Sequence, residues 1–274
     1  MTSTEQATTF RRLHAPGSFL ILPNAWDAGS ARLIESCGAT AIATSSAAVA
    51  WASGFPDGDA LPPHHLIRII GAITRAIQIP LSVDSEGGYS SDPAKVGEHV
   101  YDFVSAGAVG INLEDGTGSP DLLCAKIESV KRAGERAGVD LFVNARVDVL
   151  LHQLVPRERA IEEALARAAR YRDAGCDGIF LPLLADPAEI RTVAQAIDPL
   201  PLNVMAVPNL APAAELRRLG ARRLSAGASI ARAAIGLTKQ LATDFLANGQ
   251  SDAVYGHIKE KLDMNALFKR DSDQ

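Results

Sequence analysis

Cysteine is scarce in this chain and poorly spaced for structural use. Cys37, Cys124 and Cys176 are odd in number and far apart, with no C-x-x-C pair, so neither a disulfide framework nor a zinc ribbon is indicated and buried thiols are expected. A basic cluster is also missing. The 27 Lys and Arg are scattered among 32 Asp and Glu for a net charge of -5, which argues against a nucleic-acid partner. No stretch is apolar over the length a bilayer demands, and the opening MTSTEQATTFRRLHAPG has no apolar signal core. The expectation is a soluble, cytoplasmic protein without a membrane partner.

What the chain has is apolar material for one large core: 274 residues, 47% hydrophobic and 22% charged, near the usual length of a TIM barrel. Four segments share one design, an amphipathic helical pattern closed by Gly and followed by a β-rich apolar run. They are ARLIESCGATAIATS, HVYDFVSAGAVGINLED, ALARAARYRDAGCDGIFLPL and AAELRRLGARRLSAG. Gly38, Gly107, Gly175 and Gly220 each suit the left-handed position just past a helix. Asp92-Pro93 and Asp186-Pro187 each offer an N-cap acceptor followed by a proline at the first helical position.

Strands are expected near 19–23, 40–44, 79–84, 109–114, 140–146, 178–182, 201–205 and 222–226. Eight strands alternating with helices favour an α/β fold closed as a (β/α)8 TIM barrel over an open doubly wound sheet. The open sheet would want a Gly-rich dinucleotide fingerprint, and none is present. We expect a single domain over 1–274, with the barrel at about 18–240 and a C-terminal helical extension at 241–274. Within the extension, SDAVYGHIKEKLDMNALFKRDSDQ reads as one surplus amphipathic helix with a polar tail, suited to packing on a partner subunit.

Side chains alternate along a strand, so Ser82, Asp84 and Glu86 share one face, as do Asn112 and Glu114, and Asn144 and Arg146. At the C-terminal ends of adjacent barrel strands these residues point into the mouth, where barrel enzymes place their chemistry. Converging acids repel one another, and a hard cation that keeps several waters while accepting one or two carboxylates relieves this. Zinc would want His or Cys at these positions, and neither stands there. The competing reading pairs Asp84, Glu86 or Glu114 with Arg146, or uses them to cap the next helix.

At SVDSEGGYS (82–90), GINLEDG (110–116) and NARVD (144–148), the chain resembles the isocitrate lyase/phosphoenolpyruvate mutase superfamily. PNAWDAGSARLIESCGATAIATSSAAVA and GFPDGD (54–59) extend the resemblance, which covers roughly residues 18–240. The resemblance implies that Asp84 ligates Mg²⁺ directly, Mn²⁺ being the alternative, while Asp57, Glu86 and Glu114 act largely through metal-bound waters. It implies that Ser45, Ser46 and Ala47 bind the carboxylate and oxyanion of a 2-oxo acid, partly through backbone N–H groups. Arg146 would pair with the same developing charge; Glu114 and Asp57 complete the implied catalytic set. Asn112 and Asn144, with Asp84, are the further expected substrate contacts, although neutral amides also fill barrel tops. The family's shared intermediate is an enolate of a pyruvate-like unit, and its last barrel helix is exchanged between subunits. A homo-oligomer, dimer or tetramer, is therefore expected.

The departures bear on which bond breaks. The C–C lyases of the superfamily carry a Lys-Lys-Cys-Gly-His loop after the position of Glu114; here the stretch is GTGSPDLLCAK, and Cys124 reads as a helical thiol. The phosphonate enzymes carry a Lys after the Glu-Asp pair and a Lys-Thr-Asn-type gating loop, replaced here by Gly116 and a short SPD segment, and Pro182 stands where the mutases have His. The leading expectation is a carbon–carbon lyase acting on a small 2-hydroxy or 2-oxo di- or tricarboxylate, similar to 2-methylisocitrate lyase. The alternatives are phosphonopyruvate or phosphoenolpyruvate P–C chemistry, oxaloacetate decarboxylation, and a barrel that only binds a 2-oxo acid. Of the remaining features, Gly87-Gly88 is either a hinge or a tight turn, SAGASIARA (225–233) either a phosphate cup or a plain helix start, and Trp26 and Trp51 either border the pocket or pack. His64 and His65 read as a surface helix start.

Overall fold

A capped helix opens the computed structural model, which describes residues 2–258 and 262–269. In α1 (Ser3–Leu13) the Thr2 hydroxyl accepts from the Glu5 N–H while the Glu5 carboxylate accepts from the Thr2 N–H, satisfying two donors that a helix start otherwise leaves unpaired. There follow β1 (Leu20–Leu22), β2 (Asn24–Ala25), α2 (Ala28–Ser36), β3 (Ile42–Thr44), α3 (Ser46–Ala52), α4 (Pro63–Ala76), β4 (Leu81–Asp84) and α5 (Pro93–Ser105). The middle of the chain gives β5 (Gly110–Glu114), α6 (Pro120–Arg136), β6 (Phe142–Arg146), a 3-10 turn (Arg157–Arg159), α7 (Ala160–Asp173), β7 (Gly178–Phe180) and α8 (Pro187–Ala196). The last part holds β8 (Leu202–Met205), α9 (Ala213–Arg218), β9 (Ala221–Ser225), α10 (Ser229–Asn248), α11 (Ser251–Tyr255) and α12 (Met264–Phe268).

Every strand ladder is parallel, and the strand order runs β1-β9-β8-β7-β6-β5-β4-β3-β2. The two ends of that order, β1 and β2, are consecutive in the chain and separated only by Pro23. The sheet is thus a (β/α)8 barrel whose first strand is divided: β1 pairs with β9, β2 with β3, and the proline between them has no N–H to continue a ladder. The other seven expected strands are present as single elements. Gly38, Gly107, Gly175 and Gly220 all take positive φ after their helices, as their placement predicts. Gly107 shows why only glycine serves: at φ 112° a Cβ would also stand 2.8 Å from the Thr74 side chain. Asp92 and Asp186 cap α5 and α8 through the N–H groups of Ala94 and of Ala188 and Glu189.

Strand parity sorts the core into two environments. Leu81, Val83, Ile111, Leu113, Val143 and Ala145 are fully buried in the continuous apolar core. Their neighbours of opposite parity, Ser82, Asn112, Asn144, Asn203 and Arg223, are also buried, so the barrel interior is polar. At the N-terminal end, α1 closes the barrel. Phe10 meets the Phe142 ring edge-on at 5.5 Å, His14 stacks on Phe142 at 4.3 Å, and a Cβ at Gly110 would come 2.7 Å from Phe10. Arg11 ties the helix down through Asp177 at 2.9 Å and through Asp140.

Two expectations are corrected. Residues 251–274 do not form one amphipathic helix: among the described residues they give α11 and α12, because Gly256 and the stretch after it interrupt the pattern, while 259–261 and 270–274 lie outside the described residues. The eighth barrel helix, α10, precedes them and has only Ala231 buried. The thiols are not uniformly buried either. Cys176 is buried and Cys124 partly so, but Cys37 is exposed because it falls at the C-cap of α2, on the solvent side.

Because Phe10 fills the barrel floor, Phe10→Ala is expected to cost about 3–5 kcal/mol. Urea unfolding reads this as a lower midpoint with an unchanged slope; a loss under about 1 kcal/mol would mean that α1 stands outside the cooperative core.

Candidate active site

The register of adjacent strands sets the site. Asp84 pairs with Asn112, Asn112 with Asn144, and Glu114 with Arg146, so residues ending β4, β5 and β6 stand side by side at the barrel mouth. Arg146 Nη1 lies 2.5 Å from Glu114 Oε2, and its Nε donates to Asp148 Oδ1 at 2.7 Å. Asp84 Oδ2 accepts from the Ser46 N–H at 3.0 Å, and the Asp84 N–H donates to Thr44 Oγ1 at 2.8 Å. The buried Ser45, Ser46 and Ala47 stand where β3 passes into α3, with Ser46 against Asp84.

Asn112 and Asn144 use their amides inside the barrel. Asn144 Nδ2 donates to Asn112 Oδ1 at 2.9 Å, Arg223 Nη2 donates to the same oxygen at 3.2 Å, and Asn112 Nδ2 reaches Asp84 Oδ1 at 3.4 Å. A column of buried polar groups thus holds Asp84 from below. Arg223 was not anticipated, yet its parity with Ser225 on β9 was a usable signal.

Glu86 lies past the end of β4 with φ 49°, buried, and accepts from the Asp59 N–H. Asp59 itself has φ 56° and accepts from the Tyr89 N–H at 3.3 Å, while Lys126 Nζ donates to the Gly87 carbonyl at 2.6 Å. Gly87-Gly88 sits in a turn: the Gly88 N–H donates to Ser85 O at 2.8 Å, and at φ 87° a Cβ there would strike Val96 at 2.5 Å. Asp57 is exposed on the same loop, close enough for its charge to be felt by Glu86 and Asp59. Asp59 is the residue of that loop that touches the acidic group, and the GFPDGD motif did not distinguish it from Asp57.

Burial sets the electrostatics. It pushes Glu86 up to about 7, with the charges of Asp59, Asp84 and Asp57 adding to the rise and the bond from the Asp59 N–H opposing it. Burial also raises Glu114 well above the ordinary carboxylate range despite Arg146, with Asp148, Asp84 and Glu86 adding to the rise. Arg223, fully enclosed, is lowered to about 9 by burial, partly offset by Asp84. Behind Arg146, Asp148 is held by a second layer. Its N–H donates to Asp115 Oδ1 at 2.8 Å, and Asp115 Oδ2 accepts from Arg167 at 2.8 Å and Tyr171 at 2.6 Å.

Among the described residues no three of His, Cys, Asp and Glu are placed to hold a metal ion directly. The donor set is one of oxygens, with Asp84 facing the mouth and Glu86 and Glu114 behind it, which fits a hard cation bound by one or two carboxylates and otherwise by water. Cys124 is not at the mouth: its Sγ faces the Arg170 carbonyl at 3.7 Å, between α6 and α7. His64 and His65 open α4, and Trp51 takes the Arg232 guanidinium on its face at 5.2 Å, beside the start of α10. No helix among the described residues is long and apolar enough to cross a membrane.

Comparison with known proteins adds family evidence. Residues 10–246 match the model of the phosphoenolpyruvate phosphomutase family. An uncharacterized protein of Mycobacterium tuberculosis, Rv1998c, is 38% identical over 224 residues, 80% of this chain and 81% of its own. A candidate phosphonomutase from Burkholderia cenocepacia J2315 superposes with a TM-score of 0.83 at 40% identity, covering 89% of this chain and 99% of that one. Phosphonopyruvate hydrolase, solved with oxalate and Mg²⁺, shares the fold at 24% identity with a TM-score of 0.82, covering 97% and 95% of the two chains. Other relatives include 2-methylisocitrate lyase from Escherichia coli and phosphoenolpyruvate phosphomutase from Streptomyces hygroscopicus.

The raised carboxylates give a signed pH dependence. A carboxylate bound more tightly to its proton when folded contributes stability that is complete below its unfolded value and lost as pH rises through its folded one, about 7 for Glu86. With metal chelated, Glu86→Gln should therefore gain on the wild type by about 3 kcal/mol between roughly pH 4 and pH 8, read by urea unfolding. A pH-independent difference would show that Glu86 is not destabilised by its surroundings.

Proposed function

From the membership of this chain in the phosphoenolpyruvate phosphomutase family, and so in the isocitrate lyase/phosphoenolpyruvate mutase superfamily, we propose that it is a Mg²⁺-dependent carbon–carbon lyase acting on a small 2-hydroxy or 2-oxo di- or tricarboxylate. The observation that carries this reading is the mutual approach of Asp84, Glu86 and Glu114 at the barrel mouth, with Arg146 paired to Glu114. Asp84 adds to the rise of both Glu86 and Glu114, a repulsion that a dication would relieve, and burial already drives those two toward protonation. Asp84 would ligate Mg²⁺ or Mn²⁺, with Glu86, Glu114 and Asp57 on its waters; bound there, the cation supplies Lewis-acid polarisation of the ligand's oxygens.

The chain's own residues do the rest. Arg146, braced by Asp148, presents a fixed positive charge to the oxygen on which charge develops, so no reorganisation is needed at the moment of reaction. Ser45, Ser46 and Ala47 supply the neighbouring wall and its backbone donors. Asn112 and Asn144 keep Asp84 in place from beneath. A second reading, P–C bond chemistry on a phosphonate, draws on the 40% identity to the candidate phosphonomutase. Decarboxylation of oxaloacetate would use the same oxyanion site.

A homo-oligomer is part of this proposal. Helix α10 exposes Ile235, Leu237, Phe245 and Leu246, while a groove of about 880 Å³ on the outer face of β1 and β9, bordered by α2, leaves Ile21 59% exposed. The apolar helix and the uncovered strand face suit exchange of α10 between two copies, as the superfamily does with its last barrel helix. Phe245→Glu with Leu246→Glu should shift the protein to monomer in light scattering; an unchanged mass would remove α10 from the interface.

The functional test is a product screen with and without Mg²⁺ on methylisocitrate, dimethylmalate, oxaloacetate and phosphonopyruvate, following 2-oxo acid, acetate and phosphate. Mg²⁺-dependent release of a 2-oxo acid by C–C cleavage is expected. Phosphate release would favour the second reading, and binding without turnover of any compound would favour a barrel that only binds 2-oxo acids. Asp84→Ala should abolish Mg²⁺-dependent oxalate binding in calorimetry with the fold intact; normal binding by that variant would overturn the metal assignment.

A further inference from the structure

Asp148 has one carboxylate oxygen to spare. The side chain is fully buried; Oδ1 takes the Arg146 Nε–H, whereas Oδ2 has no hydrogen-bond partner. Leaving a buried carboxylate oxygen unpaired is costly, so such an atom marks either a strained arrangement or a partner that engages only in the working state. A second nitrogen base faces that oxygen. His152 Nε2 stands 3.7 Å from Asp148 Oδ2, on a turn closed by the His152 N–H donating to Asp148 O at 2.9 Å. The separation is too long for a hydrogen bond but within a small side-chain adjustment of one, and catalytic hydrogen bonds commonly tighten only with ligand bound. The His152 side chain is 41% exposed, so the ring is not sealed in the core. Its neighbours Leu150, Gln153 and Leu154 line a separate recess with Leu183 and Arg157, which His152 does not enter.

Among the described residues no other imidazole is paired with a carboxylate that holds Arg146. The β5–α6 connection, residues 115–119, is Asp-Gly-Thr-Gly-Ser, and both Asp115 oxygens are engaged. Cys124 faces the α7 backbone. His14 is sealed at the barrel floor with Nδ1 on the Phe10 carbonyl, His99 bonds the Gly88 carbonyl from α5, and His64 and His65 lie at the start of α4. Among the described residues, only His152 combines an accessible imidazole with a buried carboxylate that also holds Arg146.

We propose that His152, oriented by Asp148, is the general acid–base that moves protons on and off the carbon skeleton of the ligand held at Arg146. The inference rests on the 2-oxo acid site proposed above. The arrangement is an imidazole whose one nitrogen is turned by a buried carboxylate, leaving the other to exchange protons with a ligand. On a bound 2-oxo acid the step balances as follows. Neutral His152 takes a proton from carbon 3, the C–H electron pair becomes the C2–C3 double bond, and the carbonyl π pair moves onto oxygen facing Arg146. Reversal returns a proton from the imidazolium to carbon 3, after exchange with water.

The step is testable without knowing the physiological substrate. Wild type and His152→Gln, each with Mg²⁺, are given pyruvate in D₂O and the loss of methyl protons is followed by NMR, with oxalate affinity measured in parallel by calorimetry. Wild type should exchange the methyl protons, and His152→Gln should do so at least about 100-fold more slowly while its oxalate Kd stays within about twofold. Exchange by the variant at the wild-type rate would overturn the proposal. So would wild-type oxalate binding without exchange, or loss of oxalate affinity together with exchange, since the latter would make His152 a binding or packing residue. Failure of wild type to bind oxalate with Mg²⁺ would instead overturn the 2-oxo acid site on which the proposal rests.

Discussion

The Arg146 guanidinium, engaging Glu114 on one side and Asp148 on the other, is the interaction around which the barrel mouth is built. A buried carboxylate without a cation is driven to protonate, and a buried guanidinium without acceptors is costlier still. Each of the three groups is therefore tolerable only because the other two are present. Their geometry must also be fixed from outside, and the Asp115–Arg167–Tyr171 cluster does this by anchoring the Asp148 backbone. That cluster joins the β5 terminus to α7, so the aim of Arg146 depends on a helix that does not itself reach the mouth.

The same logic runs down the barrel axis. Arg223 donates to Asn112, Asn144 donates to Asn112, and Asn112 reaches Asp84. A polar interior is an expensive way to fill a barrel, because every group needs a partner. Here it supplies donors beneath the one carboxylate that faces the mouth. Helix α1 makes the arrangement closed by sealing the floor with Phe10 and His14, so that the column is screened from solvent at one end and meets it only at the other.

Much of this was legible in the residues. The four glycines after helical patterns all adopt the left-handed conformation, and the two Asp-Pro pairs cap their helices, because these are local steric and hydrogen-bonding effects that need no tertiary information. Strand parity put Asp84, Asn112, Glu114, Asn144 and Arg146 on one side of neighbouring strands, and the register bears that out. Asp148, two residues beyond Arg146, and Arg223 lay outside that reading. Parity could not rank Asp59 over Asp57, since that depends on how a loop folds back on Glu86.

The alternation of eight strands with helices followed from the sequence alone, because periodicity, caps and turns are set within a few residues of each other. The tertiary structure decided what those local rules cannot reach. Closure of the sheet on itself divides the first strand at Pro23, since one stretch of chain must pair with β9 before the proline and β3 after it. Contacts across 52 and 56 residues gave Asp115 its partners, and the pairing of β5 with β6 set Glu114 beside Arg146. Which charges meet is a property of the closed barrel.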